Sequence, residues 1–286
     1  MKTLKHLLIL ITLAHLSLFA YDARLKSYPD AKAYYENAVK GDATAAFNLA
    51  VTYHKRFNDA AKAIYWYKKA YEIGNTNIAK DAANDLGFLE DRTLKNHKEA
   101  EKWYKKAIAK GSKAAAYNLA YMYDEALHLP KQAIELYKQA YHMGQIGAAN
   151  SIGLVYKNQL KNYPEALKWY KKAYEQGDMS GAFNIGYYYD VVEHDFPKAI
   201  TWYKKAAKKG YKNAILNLAY VYKDKEEKIL GAAYLINLIA YKHSKTNVFN
   251  TLTKKWHLTD KEIKQAYRLQ KTLDIPKHYF DPKLEN

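Results

Sequence analysis

Cysteine is absent from all 286 residues, which excludes disulfides, thiolate metal sites and thiol nucleophiles together. The sequence holds no G-x-S-x-G elbow, no H-E-x-x-H pair and no glycine-rich phosphate loop. The common serine-hydrolase, zinc-protease and nucleotide-binding signatures are therefore missing. Few serines follow residue 20, and none of them opens an S-x-x-K pattern. Acidic residues are in the minority, at 29 against 46 Lys plus Arg, and arginine is rare among the bases. None of these patterns implies a cofactor.

What is present begins with apolar content. Hydrophobic residues make up 49% of the chain, so disorder is not expected, and the length suits one extended domain or two compact ones. The first twenty residues read as a secretory leader. Lys2 and Lys5 precede an apolar run from Leu7 to Leu13, and Ala20 offers a small residue for cleavage. Leu7 to Ala20 is short for a bilayer span, which needs about 20 apolar residues. The expectation is a periplasmic or secreted protein, cut after Ala20, with no stable membrane insertion afterwards. Loss of Lys2 and Lys5 would take the formal charge from +17 to +15. A basic protein outside the cytoplasm has no genomic nucleic acid to meet.

One phrase is written four times: Trp66-Tyr67-Lys68-Lys69-Ala70, then W-Y-K-K-A again from Trp103, Trp169 and Trp202. Glycines 41, 74, 111, 144, 177 and 210 are spaced 33, 37, 33, 33 and 33 apart. A period of this length marks stacked helical pairs. A first helix runs from about Thr44 to Arg56 and a second from about Asp59 to Ile73, with Ala63, Trp66, Tyr67, Ala70 and Tyr71 as its apolar stripe. Pro130, Pro164 and Pro197 suit the opening turn of later second helices. The glycines suit left-handed closures. The four extra residues of the second unit fall between Gly74 and the next helix, where one helical turn can be absorbed without rotating a face. Leu136 and Leu235 replace tryptophan in two copies, so the phrase reads as inter-repeat packing, with the Lys-Lys pair on the solvated side.

The pattern A-x-x-W-Y-x-K-A-x-x-x-G followed by A-x-x-x-L-(A/G)-x-x-Y resembles the Sel-one-like repeat family, a relative of tetratricopeptide repeats. Ala166 to Ala173 and Ala115 to Tyr123 carry it most plainly, and Leu258 to Glu262 with Ala266 resembles the closing helix common after such repeats. Thr259 and Glu262 stand at capping-box spacing. The resemblance spans about Ala43 to Lys271. It implies an all-α fold, a right-handed α-solenoid of about six helix-turn-helix repeats with a terminal capping helix. The 33-residue period leans toward tetratricopeptide geometry. Expected divisions are a signal peptide at 1–20, a lone capping helix within 21–42, the solenoid at 43–243, and a capping helix with an irregular tail at 244–286. Some secreted, cysteine-rich members of the family are described as β-lactamase-like or penicillin-binding. This chain lacks both their cysteines and a serine constellation, so a non-enzymatic protein is expected.

In solenoids of this kind the first helices line a concave wall. Asn48, Asp85, Asn118, Ser151, Asn184 and Asn217 form a polar column there, and three residues further come Val51, Phe88, Tyr121, Leu154, Tyr187 and Tyr220. Amides beside phenol rings suit the backbone of an extended peptide. The candidate contact set is Asn48, Asp85, Asn118, Tyr121, Asn184, Tyr187, Asn217 and Tyr220. The other reading of the column is that each polar residue bonds a neighbouring loop and holds the units in register. Lys68, Lys105, Lys138, Lys171 and Lys204 recur once per unit; they keep a repeat protein soluble, or attract an anionic envelope polymer in a salt-sensitive way. The histidines fall singly, and Asp224, Glu226 and Glu227 read as a solvated charge run, so no metal site is expected. The partner expected first is a protein or peptide.

Overall fold

Alanine stripes at helical spacing, each preceded by a short polar residue, set the architecture. In the computed structural model residues 22–284 are described; the expected leader and its cleavage point lie outside the described residues. These residues form helices and connections, with no strand among them. They pack as two compact units, one ending at Gln145 and the other starting at Ile146.

In the first unit a leading helix, α1 (Pro29–Ala38), precedes three helical pairs. The first helices are α2 (Ala43–Lys55), α4 (Thr76–Phe88) and α6 (Lys113–Tyr121); the second helices are α3 (Ala60–Ile73), α5 (His97–Ala109) and α7 (Pro130–His142). In the second unit the first helices are α8 (Ala148–Asn158), α10 (Met179–Val191) and α12 (Lys212–Asp224). Their partners are α9 (Tyr163–Glu175), α11 (Phe196–Ala207) and α13 (Lys228–Asn237), with α14 (Lys245–Asn250) and α15 (Asp260–Gln270) after them.

Short polar residues cap the helices as their positions in the sequence imply. Asp42, Asn75, Ser112 and Asp178 accept backbone N–H bonds at the starts of first helices, and Asp59, Asn162 and Asp195 do so at second helices. Thr259 and Glu262 complete the capping box of α15. Five of the six connections inside a pair are built alike: Asn58, Lys95, His128, Lys161 and His194 adopt φ between 50° and 56°. The next residue's N–H then closes on a carbonyl six back, as Asp59 on Tyr53 and Asn162 on Tyr156, both at 2.8 Å.

Glycine departs from expectation at one place. Gly111 has φ +85°, but Gly74 has φ −77°. Gly74 is needed for close approach instead, since a Cβ there would sit 2.5 Å from the Ala70 carbonyl oxygen. The four inserted residues do not lie in a linker either. They add a first turn to α4, which starts at Thr76 and buries Ala79.

One tyrosine fills the centre of each of the first five pairs, and Ile236 takes its place in the sixth. Tyr67, Tyr104, Tyr137, Tyr170 and Tyr203 are all at most 1% exposed. Their rings lie against first helices so closely that a Cβ on Gly87 would fall 2.7 Å from Tyr104, and one on Gly186 would fall 2.6 Å from Tyr203. Tryptophans seal neighbouring second helices edge-on: Tyr71 meets Trp103 at 5.4 Å and Tyr174 meets Trp202 at 5.6 Å. The Lys-Lys pair is divided in its duties. The second lysine folds over the indole, with Lys106, Lys172 and Lys205 at 3.8, 4.0 and 3.7 Å from Trp103, Trp169 and Trp202. The first is exposed in all four copies.

The ends are tied down. Asp22 accepts from Arg24 and Lys62, each at 2.6 Å, and Arg24 reaches Asp59 at 2.6 Å. In the tail, Asn237 donates to the Lys277 carbonyl at 2.6 Å and Gln270 to the Tyr279 carbonyl at 2.8 Å. The irregular tail is thereby pinned by two amides that are fully buried.

Candidate functional site

The polar column sits where the sequence places it, on the first helices, and its members are half-buried apart from the buried Ser151. Two of its amides bond the preceding first helix. Asn118 of α6 donates to Asn84 of α4 at 3.0 Å, and Asn184 of α10 donates to Asn150 of α8 at 2.7 Å. Asn84 also donates to Asp85 at 3.1 Å. Asn217 instead donates to the Tyr203 hydroxyl at 2.9 Å. The bonds of Asn118, Asn184 and Asn217 link helices rather than loops, and each engages one N–H of an amide that also carries a second N–H and a carbonyl. Asn48 stands on α2, its backbone carbonyl accepting from Thr52 at 2.9 Å.

The residue before the column decides which bond forms. It is Phe47, Asn84, Tyr117, Asn150, Phe183 and Leu216 in successive copies. Where it is aromatic it packs on the buried tyrosine of its pair, as Phe47 on Tyr67 at 5.8 Å, Tyr117 on Tyr137 at 5.2 Å and Phe183 on Tyr203 at 5.8 Å. Where it is asparagine it takes the next copy's amide, and the hydroxyls of Tyr104 and Tyr170 are buried with no hydrogen-bond partner. Sequence reasoning missed this alternation. Its signal was the phase of Asn and aromatic residues one position before the column.

The rings three residues on carry cations from the preceding first helix or its end. The Arg92 guanidinium lies 4.3 Å from the Tyr121 ring, and the Lys157 ammonium lies 4.6 Å from the Tyr187 ring. Tyr220 is edge-on to Trp256 at 5.7 Å and remains 43% exposed. In each unit, therefore, the first-helix face presents amides, phenol rings and fixed positive charge. Burial shapes its electrostatics further: it raises the carboxyl pKa of Asp85 and Asp190 and lowers that of the Lys157 ammonium. A cavity of about 10 Å³ beside Tyr170, Asn184 and Tyr187 is too small for any ligand group.

Other candidates resolve into packing or solvated charge. Lys105 pairs with Glu101 at 2.6 Å and Lys138 with Glu135 at 2.9 Å, so the lysine ladder is partly neutralised along its own helices. Asp224 and Glu227 are exposed and sit with Lys223 and Lys225. His97 meets the buried Asp91 at 3.0 Å. No group of three His, Asp or Glu residues that could hold a metal occurs among the described residues. No described helix is long and apolar enough to cross a membrane.

Comparison with known proteins matches the Sel1 repeat at residues 80–112, 113–145, 147–178 and 180–211, and a tetratricopeptide repeat at residues 21–78. No curated protein matches the chain. Among solved structures, a protective antigen of uropathogenic Escherichia coli strains that displays an SLR fold is similar at 25% identity and a TM-score of 0.59, over 85% of this chain. The match spans only 55% of that protein's length. A Sel1 repeat protein from Oxalobacter formigenes is similar at 25% identity and a TM-score of 0.50, covering 64% of this chain and 79% of that one. The C-terminal part of a TPR repeat-containing protein from Cytophaga hutchinsonii shares the fold at 15% identity and a TM-score of 0.54, over 77% of this chain and 92% of its own. Four tandem Sel1 repeats behind a tetratricopeptide-type start, in the fold of solved Sel1-repeat structures, make this chain a Sel1- and tetratricopeptide-repeat protein.

Proposed function

We propose that this protein is an exported scaffold or adaptor that holds a protein or extended peptide along its first-helix faces. The observation that carries this reading is the recurrence, in each unit, of half-buried amides beside rings capped by cations: Asn118 with Tyr121 and Arg92, and Asn184 with Tyr187 and Lys157. An extended backbone offers a carbonyl and an N–H at every residue, and the amides can meet both. The cations favour acidic side chains on the ligand. The leader at residues 1–20 supports export.

Panning a random peptide library against residues 21–286 tests the reading. Beside it runs a variant with Asn118, Tyr121, Asn184 and Tyr187 changed to alanine. Peptides that bind the native chain and lose at least tenfold in affinity for a still-folded variant support it. Equal affinity for both returns the column to register keeping alone.

A further inference from the structure

The seam between second helices is closed by a Tyr–Trp pair at Tyr71–Trp103 in the first unit and at Tyr174–Trp202 in the second. Between α5 and α7 the same two positions hold Ile108 and Leu136, and the lysine that would cover the indole is Gln139. Three smaller or neutral residues coincide at one seam. The result is a groove of about 520 Å³, floored by Ile108, Leu119, Tyr123 and Leu136, with Lys105, Lys131 and the single acid Glu135 at its rim. That volume lies in the range of ligand clefts, roughly 300–1,000 Å³.

The second unit shows what closes such a seam. Between α11 and α13 the two positions are Ala207 and Leu235. The chain's own tail runs beside them there: Leu273 and Ile275 join that cluster and, with Ala207, line a cleft of about 400 Å³, and Leu235 is only 5% exposed. Asp274, between those two apolar residues, pairs with Lys208 on the adjoining helix end at 2.9 Å. The closing piece is thus an apolar–acidic–apolar segment beside a basic rim.

We infer that the Ile108–Leu136 groove docks an apolar–acidic–apolar segment of a partner protein, as Leu273-Asp274-Ile275 docks at the equivalent seam. Apolar side chains enter the positions vacated by the Tyr–Trp pair, and the acid faces Lys131, which is exposed at the mouth. The segment needs no regular structure, since the tail that serves as its template is irregular at residues 271–281. This site is separate from the first-helix faces, so either can fail without the other.

A fluorescein-labelled peptide Thr-Leu-Asp-Ile-Pro, monitored by anisotropy against the exported chain, is the probe. Thr-Leu-Lys-Ile-Pro and Thr-Ala-Asp-Ala-Pro serve as controls. The expected result is saturable binding, at least fivefold weaker for the lysine peptide and lost for the alanine peptide. The double substitution Ile108→Tyr with Leu136→Trp, which rebuilds the seam, should weaken the probe at least tenfold with helicity retained. Lys131→Glu, on the surface and unable to disturb folding, should weaken it severalfold. Unchanged binding by either variant overturns the proposal, as does equal binding of all three peptides. A dimer in sedimentation velocity that dissolves in the rebuilt variant also overturns it, by assigning the groove to a second copy.

Discussion

Asn217 donates its side-chain N–H to the Tyr203 hydroxyl at 2.9 Å, and Tyr203 donates onward to Asp190 at 3.0 Å. This relay joins α12, α11 and α10 through one buried phenol. The equivalent hydroxyls of Tyr104 and Tyr170 have no partner. Tyr203→Phe should therefore cost about 1–2 kcal/mol, because it strands two half-buried polar groups. Tyr104→Phe and Tyr170→Phe should fall within about 0.5 kcal/mol of the parent or stabilise it. Urea titrations of the three variants check the contrast; equal losses would show that the hydroxyl environments are alike.

The lysine over each indole gives a second expectation. Trp202 and Lys205 lie 3.7 Å apart, and where tryptophan becomes Leu136 the lysine becomes Gln139. A double-mutant cycle of Trp202→Leu and Lys205→Gln should return a coupling of about 0.5–1 kcal/mol. No coupling would mean that the ammonium merely rests there.

Two carboxylates should respond to pH with opposite signs. Burial raises the Asp85 pKa in the folded chain, so its charge costs stability above the folded value, and that cost vanishes below the unfolded value of about 3.9. Asp85→Asn should raise the melting temperature at pH 7, and its advantage should shrink as acid neutralises the parent. Asp22 is held well below the carboxylate range, first by Arg24 and then by Lys62. Its contribution is present above about 3.9 and is lost as pH falls through the depressed folded value. Asp22→Asn should lower the melting temperature at pH 7 and converge on the parent in strong acid. Thermal melts of both variants at pH 7 and pH 3 decide the signs.

The repeated loop conformation carries strain that can be relieved. Lys161 holds φ at 52° with an ordinary side chain, a conformation that disfavours any residue with a Cβ. Lys161→Gly should stabilise the second unit by about 0.5–1 kcal/mol, after allowing for glycine's looser unfolded chain. A loss measured by the same melts would show that the lysine stem is worth more than the strain.

The period, the helical pairs and their caps were legible because they rest on local chemistry. Pro130, Pro164 and Pro197 suit the opening turn of a helix, Thr259 and Glu262 stand at capping-box spacing, and Trp66 to Ala70 form a helix face. The polar column was legible too, but its bonding was not, since Asn118 answers to Asn84 from another copy, 34 residues away. The same holds for Lys106, whose spacing from Trp103 allows either solvent or the ring. What decides is desolvation of the indole against α3, which no local pattern encodes. Gly74 misled for a related reason: its neighbours, Ala70 and Ile78, set its conformation through contact rather than through a turn.

The added turn of α4 says how this architecture can change length. Four residues restore the facing of Ala82, Ala83 and Leu86 to within a small angle, and Ala79 extends the buried stripe. Two residues would swing that stripe about 200° into solvent, at about 100° per residue. Drift in such a lineage is thus quantised: copies can lengthen by whole turns at their starts, while smaller indels are confined to the connections.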